Sequence, residues 1–279
     1  MADDLAVIAN TGDDVEMYGA HVSPDPDLVT YWLADAIDER GYGIRDDTWQ
    51  VMGALERAGL PTWFRLGDRD LGMCLVRTQL LREGRRLTEA HASVVEAMGA
   101  GARVLPMCDE PVRTFVSARG DWLTFQQFMI VEGARGPVEA VELRGIEEAR
   151  PTPEVLAVLA HAEAIVIGPS NPVISIGPIL ALPGMREALA GSPAPVVAVS
   201  PFVGGRAVKG PTEAFCEQAG IEQSATGVAA AYVGTLDGMV ADEPADGLPT
   251  LVTDTLMDDP QSRRRLGART LEFAASLAG

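Results

Sequence analysis

Four carboxylates fall within fifteen residues near the start of the chain: Asp13 and Asp14 in the run Asn10-Thr11-Gly12-Asp13-Asp14, and Asp25 and Asp27 in Ser23-Pro24-Asp25-Pro26-Asp27. Like charges at that density repel unless each caps a helix or a cation sits among them. Oxygen ligands that leave several waters in place suit Mg²⁺. Asp27 equally suits the N-cap of the next segment, with its Leu28, Tyr31 and Trp32, and both readings stand open. A second group, Ser170 and Asn171 in Gly168-Pro169-Ser170-Asn171-Pro172, offers a hydroxyl, an amide and free backbone N–H groups of the kind that hold phosphate oxygens. A third places Arg65 two residues before Gly67-Asp68-Arg69-Asp70. Phosphoryl chemistry needs positioning and charge neutralisation above all, and these groups supply both. Small-molecule binding domains without catalysis use the same side chains.

These residues need elements to place them. Ala164–Ile167 is an apolar, β-branched run that breaks into the Ser170-Asn171 turn, and Ala194–Val199 repeats the pattern about thirty residues later, ending at Ser200 and Pro201. A helical segment around Met185–Leu189 lies between them. Another helix, capped by Thr152 and starting at Pro153, precedes the first strand with Val155, Leu156 and Leu159 on one face. Strand, helix and strand at this spacing build a parallel sheet, whose ligands gather at the carboxyl ends of the strands. Leu5–Ala9 reads as a strand leading into the first acidic turn. Gly41–Asp47 is a glycine-broken loop, and Trp49–Leu55 looks helical. A helix after Leu71 carries Leu71, Cys74, Leu75, Thr78 and Leu81 on its apolar face, with Arg77 and Arg82 pointing elsewhere, Asp68 or Asp70 as its cap, and a surface Arg69–Asp70 ion pair. Thr114–Ala118 pairs with Trp122–Val131 across Arg119-Gly120-Asp121 as a hairpin, and either Gln126 or Gln127 faces inward. Lys209 to Thr212 and Ser224 to Val228 start further helices, Leu251–Thr253 is a last strand, and Leu266, Thr270, Phe273, Ala274 and Leu277 mark the final helix. The expected fold is α/β: a Rossmann-like, mostly parallel sheet with helices on both faces, in a single domain over residues 1–279 with a smaller β-containing lobe at about 85–150.

Composition narrows the function. The chain has 22 basic and 40 acidic residues, a formal net charge of −18, and a surface of that sign repels nucleic acid and anionic membranes. No window approaches the roughly 20 apolar residues that span a bilayer, so a cytoplasmic location is expected. Cys74, Cys108 and Cys216 are far apart and read as free, packed thiols. No GxSxG elbow surrounds Ser170 or Ser200, and neither a Walker A nor a GxGxxG motif occurs. His91 and His161 sit in helical apolar contexts, where packing is the commoner role.

The blocks NTGDD at Asn10, SPDPD at Ser23, GYGI at Gly41, LGDRDL at Leu66, RT at Arg77, LPMCD at Leu105, FQ at Phe125, IGPSNPVISIGPIL at Ile167, VSPFVGG at Val199, KGP at Lys209 and DTLM at Asp254 run in order along the chain. Together they strongly resemble the 2-phospho-L-lactate transferase family. The resemblance implies a Mg²⁺-dependent, usually homodimeric enzyme of deazaflavin coenzyme F-420 biosynthesis. Such an enzyme moves 2-phospho-L-lactate or phosphoenolpyruvate from a guanosine diphosphate-linked donor to the ribityl hydroxyl of the deazaflavin precursor and releases GMP. It also implies that Asp27 and Arg65 bind the deazaflavin with Asp13 and Asp14 nearby, that Asp25 and Asp27 bind metal or orient the attacking hydroxyl, and that Ser170, Asn171 and Ser175 lie on the guanosine diphosphate side. The family pattern opens with a strand and a GGTGG turn about thirty residues before NTGDD. This sequence reaches NTGDD at Asn10, so that strand and turn are expected to be absent. Cys108 stands where the family usually has Ser, and Pro26 where it usually has Leu. The alternative is a non-catalytic nucleotide-binding regulator of the related morphogenesis and gluconeogenesis type.

Overall fold

A computed structural model describes residues 4–208 and 210–278; Lys209, expected at a helix start, lies outside them. The chain divides into two compact units, Ala2–Thr152 and Pro153–Gly279.

The first unit is built of β1 (Ala6–Ala9), β2 (Val15–Met17), β3 (Ala20–Val22), α1 (Pro24–Leu33), α2 (Gln50–Arg57), α3 (Asp68–Arg82), α4 (Leu87–Met98), β4 (Arg103–Pro106), β5 (Arg113–Ala118), β6 (Asp121–Thr124) and β7 (Ala140–Arg144). Strands β1 and β4 pair in parallel, so the acidic turn after Ala9 and the Cys108 turn leave the same edge. Thr11 Oγ1 and Cys108 Sγ meet there at 3.5 Å. Strands β2 and β3 form a hairpin across Tyr18 and Gly19, both at positive φ (55° and 78°), a turn whose twist matches that of the strands. Its Ala20 and Val22 pack with Met52, Phe64, Leu66, Leu71 and Cys74 into one apolar core. Strands β6, β5 and β7 form a three-stranded antiparallel sheet, and its Arg119-Gly120 turn again has two positive φ values.

Of the expected Trp122–Val131 strand only Trp122 to Thr124 forms. Gln127 Oε1 accepts hydrogen bonds from the Thr124 N–H and hydroxyl, which ends β6 and starts a π-helix over Gln127–Val131. Helix α1 also replaces the acidic turn expected at Ser23–Asp27, with Pro24 as its first residue and Ser23 as its N-cap.

The second unit contains α5 (Pro153–His161), β8 (Ile165–Ile167), α6 (Ile176–Ala181), α7 (Met185–Ala190), β9 (Val196–Val199), β10 (Phe202–Val203), β11 (Arg206–Ala207), α8 (Thr212–Ala219), α9 (Ala225–Ala231), β12 (Gly238–Ala241), β13 (Thr250–Val252) and α10 (Pro260–Leu277). Its sheet runs β13-β12-β9-β8 with every pair parallel, as the strand spacing required. Strands β9 and β12 are buried throughout, which is why they read as unbroken apolar runs. Leu266 and Phe273 of α10 pack on Val199 and Val240. All three cysteines are free and buried, whereas His161 and Leu156, expected to pack, are exposed. No helix among the described residues is long and apolar enough to cross a membrane.

Gly145 ends β7 at φ +88°, and a Cβ there would collide with the Pro111 carbonyl oxygen. Gly145→Ala should therefore cost about 2 kcal/mol or more of unfolding free energy. Gly101→Ala, with open space around it and no positive φ, should stay within about 0.5 kcal/mol; denaturant titration of the two variants checks the contrast.

Candidate active site

Helix α1 carries Asp27 in its first turn, and the middle of α3 brings Arg77 against it. Arg77 Nη1 donates to Asp27 Oδ1 at 2.6 Å and Nη2 to Oδ2 at 2.8 Å. The two side chains are 0% and 4% exposed. The remaining guanidinium donors are also engaged: Nε and Nη2 reach the His21 carbonyl, and Nη1 lies 3.4 Å from His91 Nδ1. Burial, with the Arg77 charge, pushes His91 down to about 4, against the pull of Asp27. A neutral His91 accepts from Arg77 at Nδ1 and donates from Nε2 to Thr30 Oγ1, 3.2 Å away. Arg77 was expected to point away from the core; the buried carboxylate of Asp27 draws it in, because a buried charge persists only when paired and hydrogen-bonded.

Beside this pair stands the acidic turn. Asn10 Nδ2 donates to Asp13 Oδ1 at 2.5 Å and to Asp25 Oδ2 at 3.2 Å, bridging the two acidic segments. Asp14 accepts from Ser23 Oγ at 2.6 Å, and its other oxygen lies 2.9 Å from His21 Nε2. Gln126 is the inward-facing amide, donating to the Asp13 carbonyl. Burial, then the charges of Asp25 and Asp14, raise the Asp13 carboxyl well above the usual range. Burial and Asp14 lift Asp25 to about 6 despite the hydrogen bond from Asn10.

A divalent cation would relieve that repulsion, yet among the described residues Asp13, Asp14 and Asp25 do not bring one ligand atom each within 4.8 Å of one another. Asp27 has less need of one, since Arg77 already meets its charge. Among the described residues, Asp27, Asp70 and Cys74 are the group that can bring one ligand atom each within 4.8 Å of the others. However, burial and the Asp27 charge push the Cys74 thiol up, and a protonated thiol is a poor ligand for a hard ion.

The third component is a cavity of about 440 Å³ whose lining includes Arg40, Tyr42, Ile44, Trp49, Arg65 and Asp70. Reciprocal capping fixes its walls. Asp68, at the start of α3, accepts from the N–H groups of Gln50 and Val51 and caps α2. Asp47 accepts from the N–H groups of Arg69 and Asp70 and caps α3. Arg69 ion-pairs with Asp47, so the pair expected between Arg69 and Asp70 is replaced. The Arg65 guanidinium lies over the Trp49 ring, 5.0 Å from its centroid. At the inner end, Tyr31 donates to Asp70 Oδ1 at 2.8 Å. Burial, then the Asp27 charge, lifts Asp70 to about 7.

Five of the residues singled out from sequence thus belong to the first unit. Asp13, Asp14, Asp25 and Asp27 share one hydrogen-bonded region, and Arg65 lines the cavity that ends at Asp70. Ser170, Asn171 and Ser175 belong to the second unit, in the segment after β8. Asn171 Oδ1 accepts from the N–H groups of Val173 and Ile174. Its Nδ2 is buried without a partner among the described residues. Ser170 is exposed, and Ser175 is the N-cap residue of α6. Sequence reasoning missed Arg77, His91, Tyr31 and Asp70 as members of the site. The available signal was a charged residue, Arg77, one turn from Cys74 on the face that also holds Leu71 and Thr78.

The chain is similar to known proteins over most of its length. The family described as 2-phospho-L-lactate transferase CofD matches residues 1–259. A phosphoenolpyruvate transferase of Kitasatospora aureofaciens is 38% identical over 98% of this chain and 90% of its own length. A 2-phospho-L-lactate transferase of Methanopyrus kandleri is 39% identical over 99% of this chain and 92% of its own. Two crystal structures of protein BH3568 from Bacillus halodurans, one described as a member of the upf0052 family, share the fold at 17% identity. Their TM-scores are 0.54 and 0.59, each covers 95% of this chain, and the matches span 82% and 90% of the respective chains.

A carboxyl raised by burial, as Asp25 is, costs stability in its charged form. Its penalty is absent below the unfolded value near 3.8 and develops as pH rises toward about 6. Asp25→Asn should accordingly match the parent in Tm near pH 4 and exceed it increasingly from pH 5 to pH 7 in metal-free buffer. Thermal melts across that range read the difference.

Proposed function

Because the chain belongs to the 2-phospho-L-lactate transferase CofD family and is a transferase of phosphorylated acids, we propose that it moves a phosphorylated three-carbon acid, 2-phospho-L-lactate or phosphoenolpyruvate, from a guanosine diphosphate-linked donor to the ribityl hydroxyl of the deazaflavin precursor of coenzyme F-420. The hydroxyl oxygen bonds to the phosphorus that carries the acid, the anhydride oxygen leaves with GMP, and the hydroxyl gives up its proton. The observation that carries this reading is the cavity itself, where Arg65 and Trp49 on one wall and Asp70 at the inner end suit a flat, polar aromatic alcohol.

Mg²⁺, drawn to the acidic cluster that includes Asp25, would offset the charge of a diphosphate in a protein of net charge −18. Asn171 Nδ2, with Ser170 and Ser175 close in sequence, serves the nucleotide. Asp27, fixed by two hydrogen bonds from Arg77, holds α1 and α3 together next to Asp70. The protein is read as a cytoplasmic homodimer, in keeping with the resemblance.

Incubation of the full chain with deazaflavin precursor, guanosine diphosphate-linked acid and Mg²⁺ should release GMP, measured chromatographically, and chelation should stop it. Arg65→Ala removes an exposed side chain from the cavity wall. The variant should raise KM for the deazaflavin by roughly tenfold or more with Tm unchanged, a loss of about 1.4 kcal/mol in binding. An unchanged KM would remove Arg65 from the acceptor site.

A further inference from the structure

Asp70 is the one cavity residue whose carboxylate is divided between two environments. Oδ1 faces inward, where the Tyr31 hydroxyl donates to it at 2.8 Å and the Cys74 thiol approaches to 3.9 Å. Oδ2 receives no hydrogen bond among the described residues. It lies on the side of Gly43, another lining residue, where a Cβ would sit 3.8 Å from it. The carboxylate is also immobilised: the Asp70 N–H is bonded to Asp47, and its phenol partner Tyr31 is 1% exposed. A fixed, half-buried carboxylate oxygen without a donor, at the end of a cavity, is an acceptor prepared for a ligand hydroxyl.

Resting on the acceptor reading given above, we propose that Asp70 Oδ2 accepts a hydrogen bond from the polyol chain of the acceptor, so that Asp70, held by Tyr31, selects ligands that carry hydroxyls over flat chromophores that lack them. Arg65 and Trp49 are placed to contact the ring system and recognise it with or without the chain. Asp70 recognises only the chain. An analogue without hydroxyls leaves Oδ2 desolvated and unpartnered, which is a larger loss than the hydrogen bond alone. Burial and the neighbouring Asp27 charge raise Asp70 to about 7, consistent with a carboxylate that gains from a donated hydrogen bond.

The test is a fluorescence titration of the full chain with two compounds: the deazaflavin precursor, and the same chromophore carrying a methyl group in place of the ribityl chain. The parent protein should prefer the ribityl compound by roughly tenfold or more. Asp70→Ala should bring the two affinities to within about threefold of each other. Tyr31→Phe, which keeps the ring and removes the donor that fixes Oδ1, should shrink the preference in the same direction. Arg65→Ala should weaken both compounds by a similar factor and leave their ratio intact. A preference that persists undiminished in Asp70→Ala and Tyr31→Phe overturns the role of Asp70 while leaving the acceptor pocket standing. Should Asp70→Ala fail to fold, an unchanged ratio in Tyr31→Phe overturns it by itself. A parent protein that binds neither compound overturns the acceptor reading and this proposal together.

Discussion

The first unit depends on a single buried ion pair. Arg77 and Asp27 come from helices far apart in sequence, meet through two parallel hydrogen bonds, and are almost wholly withdrawn from water. Neither charge is tolerable there alone, so each fixes the other's position, and with it the facing sides of α1 and α3. The remaining guanidinium contacts extend the constraint to the β3 backbone at His21 and to α4 through His91. One arginine thereby ties together three helices and a hairpin.

That constraint also shapes the electrostatics. With Asp27 paired to Arg77, the protein keeps two other groups of carboxyls that have no such partner. Asp13 and Asp25 are linked through the Asn10 amide, and Asp70 is held by a phenol. Burial raises all three, helped by neighbouring acidic charges: Asp25 and Asp14 on Asp13, Asp14 on Asp25, and Asp27 on Asp70. Neutral donors orient these carboxyls without cancelling their charge, the arrangement expected where a cation and a hydroxyl-bearing ligand complete the site. A protein with far more acidic than basic residues places a fully buried arginine at the centre of this region, and its exposed Arg40 and Arg65 at the mouth of the cavity.

Sequence patterning recovered the elements that burial of apolar surface dictates. The parallel strands β8, β9 and β13 lie within a residue or two of where periodicity put them, and the Arg119-Gly120 turn and the final helix form where they were expected, the second hairpin strand shorter and the helix longer. It failed where a helix buries polar groups. On α3 the apolar stripe suggested Leu75 inside and Arg77 outside, yet Leu75 is 49% exposed and Arg77 is buried. On α1 the inward face is Asp27, Thr30 and Tyr31, and Trp32 is turned out. Both errors share one cause: a hydropathy stripe cannot anticipate a face organised by a charge pair. The motifs assembled the acidic residues and Arg65 through resemblance, but they gave Asp70 only a capping role, because a carboxylate in the first turn of a helix has that simpler use. Here Asp47 and Asp68 do the capping, which releases Asp70 for the cavity.

The most direct measurement is a double-mutant cycle on the ion pair, using Asp27→Asn, Arg77→Met and the combined variant, with unfolding free energies from denaturant titration. Each single change should cost about 3–5 kcal/mol by leaving the other charge buried and unpaired, and the double variant much less than their sum, with a coupling of about 2 kcal/mol or more. Additive costs, or single variants within about 0.5 kcal/mol of the parent, would contradict the claim that this pair organises the unit.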